Sequence, residues 1–263
     1  MKTNITFEGY YSMKKILLFF GFSIFAIGLF ADAKGDGIAK KTFDLPKPND
    51  TYQVIKMILI DSNNNRKERK LTMYSKKTYK GTNSFIEFHE PADVKGSRFL
   101  TIGYDEGDDD QRLYLPALGK VRKISSSSKG GSFMGSGLNY YDMEVRSYSD
   151  STYKHIGEDT YNRNECFMLE SYPKDPDSPY SKTVSLVDKQ TFVSRKIDCY
   201  DKNNRLEKII NMVEIKQIKG YFINLKITVD NKLQNSKTLL VFQNMQINTG
   251  LRDDIFTIQN LSH

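Results

Sequence analysis

The sequence predicts a mainly β (α+β) protein made of one curved antiparallel sheet with a few short helices. Three observations carry this reading. Apolar and polar residues alternate with period two almost to the end of the chain. Tyr221, Ile223, Leu225, Ile227 and Val229, for example, alternate with Phe222, Asn224, Lys226, Thr228 and Asp230, the pattern of a strand with one dry and one wet face. Aromatic residues, which suit a pleated surface, are abundant at 16 Tyr and 16 Phe. Turn signals recur at Asn63-Asn64-Asn65, Lys80-Gly81, Gly107, Pro116 with Gly119, Lys202-Asn203-Asn204 and Gly220, where Asn, Pro and Gly permit the backbone angles that turns need.

Taken in order, the chain begins with Met13-Lys14-Lys15, an uncharged run from Ile16 to Ala31, and the small-x-small exit Ala31-Asp32-Ala33. These are the three parts of a secretory signal, and the run is shorter than the ~20 residues a spanning helix needs. Residues 1–33 are therefore expected to be removed near Ala33, with Met13 as initiator and residues 34–263 as the exported domain. An uncleaved anchor is the alternative. A short helix is expected around 35–43. Strands follow over 51–61, 67–77, 83–89, 97–104, 111–115 and 120–124, then a second helix near Asn139 to Tyr148. Further strands cover 152–160, 165–172, 182–188, 191–201, 204–218, 221–230 and the stretch from Leu239 to Ile247. A dozen such strands either close into a barrel or curl strongly. Val54-Ile55-Lys56-Met57-Ile58-Leu59-Ile60 is apolar on both faces, so something must cover it on each side. No internal repeat or Pro/Gly/Ser linker divides the chain, which predicts one domain.

The formal charge is +7. Removing residues 1–33 takes away Lys2, Lys14, Lys15, Glu8 and Asp32, leaving an excess of +6 spread along the strands. That is not the clustered Lys/Arg footprint of a nucleic-acid binder, and no nucleic-acid partner is expected. The densest patch, Arg66-Lys67-Glu68-Arg69-Lys70, reads as a solvated hairpin edge guarded by charge, with weak attraction to anionic headgroups as the alternative and peripheral membrane contact its consequence. His89, His155 and His263 form no metal motif, and neither a metal nor a cofactor is expected. Cys166 and Cys199 flank a third strand candidate, which in a meander separates them by about 9–10 Å. That is too far for a bridge, and two buried thiols are expected.

Catalytic constellations are missing: there is no Gly-x-Ser-x-Gly, His-Glu-x-x-His or Cys-x-x-Cys. Asp105-Glu106-Gly107-Asp108-Asp109-Asp110 lacks the spaced ligands of a calcium loop and reads as a solvated turn. The polar stretch from Ser125 to Gly137 carries Phe133 and Met134. It reads either as a surface loop or as a flap whose Phe133-Met134 tip closes a cavity mouth.

The segments Pro91-Ala92-Asp93-Val94-Lys95-Gly96, Tyr114-Leu115-Pro116-Ala117-Leu118-Gly119-Lys120-Val121-Arg122-Lys123-Ile124 and Gly131-Ser132-Phe133-Met134-Gly135-Ser136 occur in that order. In this combination the chain resembles the outer-membrane lipoprotein-sorting proteins, relatives of the periplasmic carriers LolA and LolB. Weaker likeness runs on through Cys166, Val187-Asp188-Lys189 and Asp254-Ile255-Phe256-Thr257. The resemblance implies a half-open, strongly curved β-barrel with helices over its concave side, periplasmic residence, and binding of acyl chains or lipoproteins without catalysis. An inner-membrane exporter of the resistance-nodulation-division type is an implied partner.

Acyl chains need a concave apolar lining, and each buried CH₂ contributes roughly 0.8 kcal/mol. Leu100, Ile102, Tyr104, Leu113, Leu115, Ile223, Leu225 and Ile227 are the expected lining, with Arg98, Arg122 and Lys123 at the rim to meet a lipid phosphate. The competing readings are an envelope scaffold whose sheet has a filled core and a hydrolase without a recognisable motif.

Overall fold

In the computed structural model, which describes residues 32–262, thirteen antiparallel strands form a single curved sheet. The first six run as a meander: β1 (Asp50–Ile60), β2 (Arg66–Lys77), β3 (Thr82–Glu90), β4 (Arg98–Ile102), β5 (Asp110–Leu115) and β6 (Lys120–Lys123). The second meander comprises β7 (Ser151–Tyr161), β8 (Asn164–Pro173), β9 (Tyr180–Asp188), β10 (Ser194–Asp201), β11 (Leu206–Ile218), β12 (Tyr221–Asn231) and β13 (Ser236–Ile247). The two meet where β1 pairs with β13, from Thr51 opposite Ile247 to Ile60 opposite Lys237. The sheet stays open, with β6 and β7 as its edges. Residues 1–31, which hold the Met13 initiator and all but the last two residues of the expected 1–33 signal sequence, lie outside those described.

This order has one topological consequence. β6 and β7 are consecutive in sequence but lie at opposite edges, so residues 124–150 must travel the full width of the sheet. Their contacts trace the path. Gln111 of β5 donates to the Tyr140 carbonyl at 2.9 Å. Phe133 packs on Phe88 of β3 and Phe99 of β4, with ring centroids 6.1 and 5.1 Å away. The Gly137 N–H donates to Thr238 of β13 at 2.9 Å, and Asp142 meets Lys208 of β11 and Tyr180 of β9. The segment is a strap laid across the concave face. The expected helix over 139–148 is replaced by two single 3₁₀ turns, Tyr140–Met143 and Tyr148–Asp150. Each is closed by a reciprocal cap (Asn139 with Asp142, Ser147 with Asp150), so local side-chain bonds hold the backbone where a longer helix would leave the face it must follow.

The expected helix near 35–43 is α1 (Ala33–Phe43). Asp32 caps it, accepting from the Lys34 N–H at 3.1 Å, and its second oxygen accepts the His155 N–H of edge strand β7 at 2.9 Å. Those backbone donors, His155 first, hold the Asp32 carboxyl below the usual carboxylate range. At Gly35 a Cβ would fall 2.7 Å from the His155 nitrogen, so only glycine lets the helix lie this close. Ile38 and Ala39 then pack against Tyr153, Leu169 and Val187.

The C-terminal segment, ending in α2 (Ile258–Ser262), covers the opposite face. Phe256 and Leu261 pack there on Phe85 and Leu100. The expectation that short helices cover the concave face thus holds for α1 alone of the two α-helices.

Candidate functional site

Between the sheet, α1 and the strap lies a cavity of about 610 Å³, within the roughly 300–1,000 Å³ of small-ligand sites. Its walls differ. On the side of β1 to β3 and β11 to β13 the lining is largely apolar, with Ile55, Met57, Met73, Ile227, Leu240 and Phe242, and its polar residues are Thr51, Gln53 and Asn224. On the side of β8 to β10 it carries hydroxyls, among them Ser171, Thr183 and Ser185. Two charged residues line the cavity, Asp142 and Arg146, both from the strap.

Strand pairing builds the polar wall. Tyr153, Ser171, Thr183, Cys199 and Lys208 stand directly opposite one another on successive strands from β7 to β11, and residues paired this way share a face. At the end of the row Lys208 is buried, its side chain 1% exposed, and its Nζ lies 2.9 Å from Asp142 Oδ2. The Tyr180 hydroxyl donates to Asp142 Oδ1 at 2.6 Å, and Asn139 Nδ2 donates to that hydroxyl at 3.0 Å. Burial first, and the Asp142 charge second, push Tyr180 well above the ordinary phenol range, so the hydroxyl stays a donor. Burial likewise raises the Cys199 thiol.

Arg146 differs from the other charges. Its guanidinium stacks 3.7 Å from the Tyr141 ring centroid and donates to the Tyr141 carbonyl at 2.8 Å. Its nearest carboxylate contact is Glu144 at 3.9 Å, whose other oxygen pairs with buried Lys129 at 2.7 Å. Beyond Arg146 lies a smaller polar recess of about 280 Å³ bordered by Asp109, Asp150 and Lys174.

The structure sorts the sequence-expected lining onto two faces. Ile223 and Ile227 reach the cavity. Leu113 and Leu115 belong to the concave core around Phe99 and Phe133 without reaching it. Leu100 and Ile102 lie on the other face, under the C-terminal segment. Leu113 pairs with Phe99, not Leu100, so the period-two register places β4 one residue away from the expected assignment. Tyr104 follows β4 and donates its N–H to Asp109, and Leu225 is half-buried outside the lining, where β12 has not yet joined β13.

The expected flap is also corrected. Phe133 lines the cavity but is completely buried among Phe88, Phe99 and Tyr140, and Met134 is half-buried with its carbonyl held by Arg69, so the pair anchors the strap. The rim residues move as well. Arg98 pairs with Glu87 at 3.0 Å beneath α2, while Arg122 and Lys123 lie exposed on edge strand β6 and border no part of the cavity. The Asp105–Asp110 turn is not wholly solvated, because Asp109 is buried and accepts from the Val145 N–H of the strap. Nor does the Arg66–Lys70 patch lie on an edge: β2 runs between β1 and β3. Cys166 and Cys199 are free, buried and separated by β9. Sequence reasoning missed Ile55 and Met57, although the doubly apolar β1 was the signal for them, and it missed the polar row, which only pairing assembles.

A family model described as that of an uncharacterized protein matches residues 80–263. A crystal structure described as an outer membrane lipoprotein-sorting protein domain from Vibrio parahaemolyticus is 30% identical, with a TM-score of 0.84 over 88% of this chain and 99% of that one. A DUF1329 family protein from Desulfovibrio piger is also 30% identical, with a TM-score of 0.83 over 87% and 98%. A LolA superfamily protein from Nitrosomonas europaea shares the fold at 19% identity, with a TM-score of 0.68 over 86% and 98%. No curated protein matches by sequence.

Proposed function

This chain belongs to the outer-membrane lipoprotein-sorting family of LolA-like fold, and on that premise we propose that it is an exported, periplasmic carrier that holds acyl chains in the concave cavity without catalysis. The cavity is the observation that carries this reading: about 610 Å³ of space bounded by Ile55, Met57, Ile227 and Phe242. Each CH₂ moved from water to such a lining contributes roughly 0.8 kcal/mol. The cargo is a lipid or the acyl chains of a lipoprotein, and an inner-membrane exporter is the partner that would load or receive it.

The Asp32 cap bears on processing. Cleavage after Ala33 would remove the residue that joins α1 to β7, so cleavage before Asp32 fits the fold better.

Uptake of a fluorescent fatty acid by the detergent-free protein tests the carrier reading. Ile227→Trp, which fills the cavity without adding charge, is expected to weaken uptake at least tenfold while the protein stays folded. Undiminished uptake in that variant would remove the cavity from the account.

A further inference from the structure

We infer that the cavity binds an acyl ligand by an anionic oxygen head, a carboxylate or phosphate held inside the protein by Arg146 and the hydroxyls of Ser171, Thr183 and Ser185. This rests on the carrier reading and narrows its ligand class. A purely hydrocarbon site would carry the same apolar lining all round, because a hydroxyl in a dry wall without a partner is costly. Here one wall is largely apolar, whereas on the other Ser171, Thr183 and Ser185 line the cavity and take part in no side-chain hydrogen bond among the described residues. Ser185 is only 8% exposed, while Ser171 and Thr183 are half-buried.

The charges point the same way. Asp142 is fully engaged, by Lys208 at 2.9 Å and by Tyr180 at 2.6 Å. The other carboxylates near Arg146 are engaged too: Glu144 by Lys129, Asp109 by the backbone of Tyr104 and Val145, and Asp150 by Ser147. Arg146 makes one hydrogen bond, to the Tyr141 carbonyl. Its remaining N–H groups have no hydrogen-bond partner among the described residues, which leaves a forked donor with one positive charge at the cavity.

The donors share one cavity. Ser171 and Thr183 are directly paired, between Tyr153 and Cys199 in the same row. Arg146 lines the same cavity as this row. Hydroxyls and a guanidinium offered together, with the acid already neutralised, make a site for an acceptor that carries negative charge.

The full chain, purified without detergent, is titrated with palmitate, hexadecyl phosphate and methyl palmitate. These probes share a sixteen-carbon chain and differ in head. Expected is at least tenfold tighter binding of one or both anions than of the ester, the size of one charge-assisted hydrogen bond, and which anion binds tighter identifies the head. Arg146→Gln is expected to narrow that preference to within about threefold. Should that variant not fold, Ser171→Ala with Thr183→Ala is expected to narrow it at least threefold. Equal affinity of the wild-type protein for all three probes overturns the anionic head and leaves the acyl carrier standing. Binding of none of them overturns both.

Discussion

Lys208 of β11 and Asp142 of the strap face one another at 2.9 Å, with side chains only 1% and 8% exposed. The pair joins the middle of the sheet to a segment that has to cross it, and Tyr180 and Asn139 complete the bonding around it. Removing one member of a buried pair strands a charge and costs about 3–5 kcal/mol. Lys208→Met is therefore expected to lower the urea unfolding free energy by about 3 kcal/mol or more. Adding Asp142→Asn, which keeps an oxygen for the Asn139 cap, is expected to restore part of that loss. Additive losses to within about 0.5 kcal/mol would mean the two residues are not coupled.

Close approach sets a second test. At Gly137 an added Cβ would lie 3.2 Å from Val229 Cγ1 and 3.5 Å from Thr238 Oγ1. Gly137→Val should push the strap off β12 and β13, lower stability by about 1–3 kcal/mol and reduce the protection of the residue 137 amide, which donates to Thr238, relative to its intrinsic exchange rate. Unchanged protection would place the strap farther from the sheet than described.

Acid should act through Asp50. Its carboxylate accepts from the Thr249 N–H at 2.8 Å, the Thr249 hydroxyl at 3.0 Å and the Gly250 N–H at 2.9 Å, tying the start of β1 to the end of β13. Burial opposes the charge, but these donors outweigh it and hold the carboxyl below its ordinary value. A depressed carboxyl pKa contributes stability above the unfolded value of about 3.9, and that stability is lost as pH falls through the folded value. Asp50→Asn is expected to lower Tm clearly at pH 7 and much less at pH 3. A difference that does not shrink with acid would point away from the carboxylate.

Free thiols make a simple prediction. With β9 between Cys166 and Cys199, a reducing agent should leave Tm unchanged. Both thiols should react with a thiol reagent only after unfolding, since burial raises each of them. A drop in Tm on reduction would require a bridge.

Much of the fold could be read from the chain because period-two patterning and turn residues are local signals. Alternation nominated Ile223, Leu225 and Ile227 together, and Ile223 and Ile227 line the cavity while Leu225 does not. Leu100 and Ile102 were misplaced, because β4 has apolar residues on both faces, with Phe99 inward and Leu100 under α2, and alternation cannot choose between two dry faces. The strap was misread for another reason. A Gly- and Ser-rich stretch looks like a surface loop, and what forces Phe133 inward is that β6 and β7 lie at opposite edges, a fact of pairing order that no local pattern contains. The polar row of Ser171, Thr183, Cys199 and Lys208 was hidden in the same way.

An acyl chain held in the concave cavity should stay with the protein through purification. The most direct measurement is mass spectrometry of the lipid extracted from protein exported to a periplasm and purified without detergent. Close to one acyl-bearing molecule per chain is expected, lost in the Ile227→Trp variant while that variant stays folded. Protein that emerges empty and then takes up no added fatty acid would contradict the carrier reading, and would leave an envelope scaffold whose cavity has no cargo.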